Sequence, residues 1–214
     1  MLGHGFCGSW RNVVPLAKKL SARGTVYVFD FRGHGASEGL TTLGNLEALD
    51  VHAVVELARA ECGPSARIIT VGASMGGIAV LREASYYGSS DAVVSISAPA
   101  EWMGQQARAR VLGMLVTSKL GRAVARRFFR TRVEPTWMSP PPPLELVADI
   151  TIPMLIVHGA TDPFVNPRQA QLLHDASGDR AFLRVISDYG HAEAGFDERV
   201  VDLIDREIAS LSLV

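Results

Sequence analysis

The chain is short of cysteine, of net charge and of long apolar runs, and each shortage excludes something. Only Cys7 and Cys62 occur among 214 residues. Two cysteines make no disulfide framework, and without a C-x-x-C pair or a Cys/His cluster the sequence offers no zinc or other metal site. Both read as small apolar fillers. Lys and Arg number 21 against 22 Asp and Glu, a formal net charge of -1. That leaves no electrostatic basis for nucleic acid as a partner. No apolar run approaches the roughly 20 residues of a membrane span. No basic stretch followed by a hydrophobic one opens the chain, so no secretory signal is read and a cytoplasmic location is expected.

What the chain does hold is 48% hydrophobic and 20% charged residues, enough for one α/β domain with a real core. Apolar runs alternate with amphipathic stretches, the pattern of a mostly parallel sheet flanked by helices. Strands are expected at residues 25–30, 67–71, 91–97, 153–158 and 181–186; the first, Thr-Val-Tyr-Val-Phe-Asp, reads as buried on both faces. Helices are expected at 43–61, 74–87, 167–176 and 197–211. In the first helix Leu46, Leu49, Val54, Leu57 and Ala58 fall mostly on one side. Residues 100–149 break the rhythm, with helical patterning and no clear strand. They return to the sheet through Pro140, Pro141, Pro142 and Pro143, which hold the chain extended. The division that follows is a core of residues 1–99 and 150–214 with a small helical insertion over 100–149.

Between a strand and a helix lies Gly72-Ala73-Ser74-Met75-Gly76-Gly77, a G-x-S-x-G pattern in the context that gives it meaning. A serine at the tip of a sharp strand-to-helix turn needs small neighbours two residues away on each side, because the backbones pass closely there. The turn exposes the hydroxyl and points the Met75 amide into the same space. The helix N-terminus adds a favourable field for developing negative charge.

With that turn, four blocks resemble the α/β-hydrolase superfamily. His4-Gly5-Phe6 looks like the oxyanion loop that follows the third strand. Asp30-Phe31-Arg32-Gly33-His34-Gly35-Ala36-Ser37 looks like the D-x-R-G-x-G-x-S loop of the monoacylglycerol-lipase-like and serine-aminopeptidase-like branches. The Ser74 turn is the third block, and the pair 158–163 and Gly190-His191 is the fourth. The resemblance implies the α/β-hydrolase fold, a helical cap over 100–149 and a Ser, Asp, His order met by Ser74, Asp162 and His191. Asp162 and His191 each follow an expected strand, so both fall at the same sheet edge as Ser74. Ser74 would be the nucleophile, His191 its base and Asp162 the acid that orients the imidazole. The amides of Phe6 and Met75 would hold the oxyanion. No metal or organic cofactor is implied.

Rival assignments exist for the acid. Glu101 follows the third expected strand, where some relatives place it, and Asp188 lies near His191 as a secondary partner. Asp30 reads as structural, closing the Arg32-Gly33 loop. His4, His34 and His158 sit inside loop motifs and read as loop hydrogen-bonding groups, while His52 and His174 read as helix surface or packing residues.

The chain departs from the superfamily at its start. Three residues precede His4, so the first two strands of the usual order are missing and the third is nearly gone. The expectation is a native product that starts upstream. Failing that, residues 25–30 would pair directly with the strand at 67–71, or a partner chain would supply the missing edge. The insertion carries eight basic residues between Arg108 and Arg132 and no acidic one, interleaved with Val111, Leu112, Leu115, Val116, Leu120, Val124, Phe128 and Phe129. It reads as a solvated basic face on a cap; contact with an anionic lipid surface is the alternative. The leading function is hydrolysis of a small carboxylic ester by an esterase or lipase. The alternatives are other triad chemistry (thioesterase, amidase, C–C hydrolase, acyltransferase or perhydrolase) and an inactive or binding-only scaffold.

Overall fold

Alternate residues of a strand face opposite sides of its sheet, and here both sides are apolar. The computed structural model describes residues 1–102, 113, 116–136 and 140–211. Among them one parallel sheet runs in chain order: β1 (Leu2–Gly3), β2 (Ile69–Ala73), β3 (Ala92–Ile96), β4 (Met154–Gly159) and β5 (Ala181–Ile186). Val93, Met154, Ile156 and Ala181 turn to one face. There they meet Val51, Val55 and Ala58 of α2 (Glu47–Cys62), Ala79 and Val80 of α3 (Met75–Tyr86), and Ala170 and Leu173 of a helix at Arg168–Ser177. Val71, Val94, Ile96, Leu155, Val157 and Ile186 turn to the other. They meet Leu16 and Leu20 of α1 (Val14–Leu20) and Val200, Ile204 and Ile208 of a helix at Glu198–Leu211. Helices on both faces explain why the central strands carry apolar residues without alternation.

Between β3 and β4 the described residues hold α4 (Lys119–Phe129) and the short α5 (Pro143–Leu146); the two helices just named are therefore α6 (Arg168–Ser177) and α7 (Glu198–Leu211). Pro142 is extended and Pro143 opens α5 at its first turn, where a missing N–H costs nothing. Ser118 caps α4 by accepting the Gly121 amide. Gly121 and Ala125 of α4 are buried, whereas Lys119, Arg126, Arg127 and Arg130 are exposed. Leu120 and Phe128 are exposed beside them. Arg108, Arg110, Val111, Leu112 and Leu115 lie outside the described residues.

Three expectations are corrected. Residues 25–30 form no full strand: a single parallel bridge joins Leu2 to Val28, and the segment is half-buried rather than enclosed. The cause is the brevity of β1, which offers the Leu2 amide to Tyr27 O (2.8 Å) and little more. Nor does this segment pair directly with β2. Leu2 and Gly3 lie between them, registered on Val71 and Gly72, and the Val71 amide donates to Met1 O at 2.9 Å.

The third correction concerns α2. It starts at Glu47, not at 43, because Leu43 and Gly44 take left-handed backbone conformations (φ 56° and 93°) that no helix accepts. The buried Glu47 carboxylate binds the Thr42 and Gly44 amides and both threonine hydroxyls of that turn. The inward stripe is Ala48, Val51, Val55 and Ala58, whereas Leu46, Leu49 and Leu57 are 41–48% exposed. The leucines were the larger apolar residues, but they lie on the flank of the stripe that the sheet covers. Val51→Ala is therefore expected to cost about 2 kcal/mol. Leu57→Ala should stay within about 0.5 kcal/mol. Urea unfolding of the two variants reads the difference, and equal losses would refute this face assignment.

Candidate active site

The turn from β2 into α3 has the backbone geometry that its glycines require. Ser74 sits at φ 52°, ψ -112°, a conformation costing on the order of 1–3 kcal/mol for a residue with a side chain. Its amide is held by Ile96 O at 2.8 Å. A methyl group on Gly72 would fall 2.0 Å from Gly76 O, and one on Gly76 would fall 2.7 Å from the carbonyl oxygens of both Gly3 and His4. The first turn of α3 thus lies directly against the loop that leaves β1. The Met75 amide makes no hydrogen bond among the described residues, nor does that of Phe6.

The imidazole arrives from the loop after β5. Two parallel strands end side by side, and their loops are laced together: Ala160 N–H donates to Ile186 O, and Thr161 donates to Tyr189 O from both its amide and its hydroxyl. Gly159 has no room for a side chain, since a methyl there would lie 2.1 Å from Gly190 O. Beyond this contact, the buried Tyr189 hydroxyl donates to Ala192 O and Ser97 Oγ accepts the Ala192 amide. His191 is held between these anchors. Its Nε2 lies 2.9 Å from Ser74 Oγ and its Nδ1 lies 2.7 Å from Asp162 Oδ2.

Asp162 is buried. Burial favours its neutral form. The hydrogen bond and charge of His191, with the amides of Val165 and Phe164 on Oδ1, more than offset that, and its pKa lies below the ordinary aspartate value. Its share of stability is therefore present above the ordinary aspartate range and lost as pH falls through the depressed value. The other expected acids stand elsewhere. Glu101 is exposed, with its amide on Gln169 Oε1. Asp188 is exposed in a left-handed turn.

The loop histidines are structural. His4 Nδ1 donates to Gly5 O while its Nε2 accepts the Phe31 amide; His34 Nδ1 donates to Arg32 O while its Nε2 accepts the Cys7 amide. Each ring therefore ties residues 4–7 to residues 31–34 in a neutral form. Burial pushes both down to about 4. His158 is buried too, donating from Nε2 to Val165 O, and burial lowers it as well. Asp30 closes its loop as expected: its carboxylate accepts the Trp10 and Ala36 amides, and Arg32 pairs with Asp50 at 2.7 Å.

Sequence reading missed two participants. Ser97, at the end of β3, holds the His191 loop. Glu193, two residues past His191, reaches Gly5 N–H with Oε1 at 2.7 Å. An acidic residue in a short run with no helical or strand periodicity was the available signal for Glu193. Val116, Ala125 and Val133 from the segment between β3 and β4 pack with Phe6, Cys7 and Leu43. Among the described residues no cluster of three His, Cys, Asp or Glu is placed to hold a metal, and no helix is long and apolar enough to cross a membrane.

An all-parallel sheet with helices on both faces, turning through a strained serine at the end of a central strand, is the α/β-hydrolase fold. The chain matches the Alpha/beta hydrolase family over residues 1–205 and belongs to it. Among solved structures it is similar to the esterase Pf2001 of Pyrococcus furiosus, with 24% identity and a TM-score of 0.73 over 96% of this chain and 79% of that one. It is also similar to the monoacylglycerol lipase of Paleococcus ferrophilus (18%, TM-score 0.71, 99% and 93%). A third is the esterase RhEst1 of a Rhodococcus species (20%, TM-score 0.69, 98% and 90%). At these identities the likeness speaks for the fold. No curated protein matches the chain.

Because His4 and His34 are neutral in the fold, stability should decline as pH falls from about 6.5, the free imidazole value, toward about 4. Between those values the unfolded chain binds protons that the folded chain refuses. Nitrogen-15 NMR should show both rings neutral at pH 6 with the proton on Nδ1; an imidazolium signal from either would contradict the assignment.

Proposed function

We propose that this protein hydrolyses small carboxylic esters through an acyl-enzyme on Ser74. The observation that carries the reading is the continuous hydrogen-bonded line from Ser74 Oγ through His191 to Asp162. It joins residues 117 and 29 positions apart in the chain, at one edge of a parallel sheet.

The chemistry follows from the geometry. Ser74 Oγ donates its proton to His191 Nε2 as the oxygen attacks the ester carbonyl carbon. Asp162 accepts from Nδ1–H, fixes the tautomer and stabilises the imidazolium. The carbonyl electrons move to oxygen, where the amides of Met75 and Phe6 would receive the charge at the N-terminal end of the twelve-residue α3. Collapse expels the alcohol, which takes the proton from His191. Water then repeats the sequence against the acyl-enzyme and releases the acid. The segment between β3 and β4 acts as the cap, since Val116, Ala125 and Val133 pack beside Phe6 in the loop next to Ser74.

The test is turnover of p-nitrophenyl acetate and butyrate with a fluorophosphonate label. The wild type should turn over and label. Ser74→Ala should lose label completely, and Asp162→Asn should lose about four orders of magnitude in kcat with folding intact. Labelling that survives Ser74→Ala would refute the assignment of the nucleophile.

A further inference from the structure

The site contains one buried carboxyl group that the hydrolytic steps leave unused. Glu193 stands in the single turn Ala192–Gly195 that follows His191. Its side chain points back across the site to the loop after β1, where Oε1 accepts the Gly5 amide at 2.7 Å. Its Oε2 is buried without a hydrogen-bond partner among the described residues. A methyl group built on Gly5 would lie 3.0 and 3.1 Å from the two carboxyl oxygens and 3.3 Å from Ser74 Cβ. One on Gly8 would lie 3.0 Å from Oε1. The carboxyl thus fills the space between two glycines of the loop, within van der Waals reach of the nucleophile's surroundings.

We propose that Glu193 is a positioning residue that latches Gly5 to the turn carrying His191 and so fixes the Gly5–Phe6 peptide whose amide receives the oxyanion. This rests on the reading of Ser74 as nucleophile. A fold selected for stability alone gains nothing from an orphaned buried carboxyl oxygen; a loop whose amide must be aimed does gain from a rigid acceptor on its neighbour. The neutral acid is the form that serves. A carboxylate beside the developing oxyanion would oppose it, and burial raises this carboxyl above its ordinary value against the pull of its own amide, the Gly5 amide and His191. In the neutral acid Oε1 still accepts from Gly5, and the proton on Oε2 removes the orphaned charge.

A neutral acid is well mimicked by an amide, which gives the test its control. Glu193→Gln should keep kcat, KM and inhibition by a trifluoromethyl ketone (a mimic of the tetrahedral oxyanion) within about threefold of wild type. Glu193→Ala should lower kcat about tenfold or more, with KM within about threefold, and weaken the ketone in parallel. It should also speed exchange of the Gly5 amide, read by NMR on the resting protein, by about tenfold. If the alanine variant does not fold, Glu193→Asp, which shortens the reach by one methylene, reads the same quantities. Unchanged Gly5 exchange in the alanine or aspartate variant would overturn the latch. So would a glutamine variant as impaired as alanine, or a loss confined to KM. If the wild type shows no Ser74-dependent turnover, the hydrolase reading fails and takes the catalytic half of this proposal with it; Gly5 exchange then decides the latch on its own.

Discussion

The whole arrangement depends on one steric constraint: the first turn of α3 lies flush against the carbonyls of Gly3 and His4. A methyl group on Gly76 would lie 2.7 Å from those carbonyl oxygens, and one on Gly72 would lie 2.0 Å from Gly76 O within the turn itself. Real side chains need more, so these positions admit glycine alone. Because they do, the serine at the turn and the loop that follows β1 are set by a single rigid contact rather than by two flexible side chains. The strain at Ser74 is held in place by the same packing, with the Ile96 carbonyl fixing its amide from the other side. Everything that faces Ser74 is built outward from that contact.

The second level is polar. Neutral imidazoles at His4 and His34 fasten the first loop to residues 31–34, and Glu193 fastens it to the turn after His191. Thr161, Tyr189 and Ser97 fasten the His191 loop to β3 and β4. Each bond answers a buried donor or acceptor that the close packing has removed from water. The environments of the carboxyl groups diverge accordingly. Asp162 is surrounded by donors that lower its pKa, whereas burial raises that of Glu193, whose second oxygen has no hydrogen-bond partner among the described residues. Two acids near one imidazole are thereby shifted in opposite directions.

The parts of this that were legible in the sequence are those where local chemistry has few solutions. The spacing of Gly72, Ser74 and Gly76 admits few other backbones, and β4 and β5 stand where their apolar runs fall, with Asp162 and His191 just beyond them. Less legible was anything decided by neighbours distant in sequence. The stripe of α2 that faces inward is set by where the sheet lies, so large leucines at 46, 49 and 57 misled while Ala48 and Val51 went unremarked. Residues 25–30 look like a central strand by composition, yet a two-residue neighbour gives them one bridge. Glu193 carries no periodic signature, because its partner lies 188 residues away.

That last separation has a kinetic meaning. The acceptor of the Gly5 amide comes from the final tenth of the chain. So does Asp205, which grips Arg23 through both guanidinium contacts at 2.5 and 2.8 Å and brings α7 onto α1. Contacts closing such long loops form late and slow the search for the native state. During synthesis, the Ser74 turn leaves the ribosome long before the residues that complete its surroundings. A growing chain can close neither the Gly5 nor the Arg23 contact until residues 193–205 have been made, so the loop after β1 and α1 wait on the same late segment for these partners.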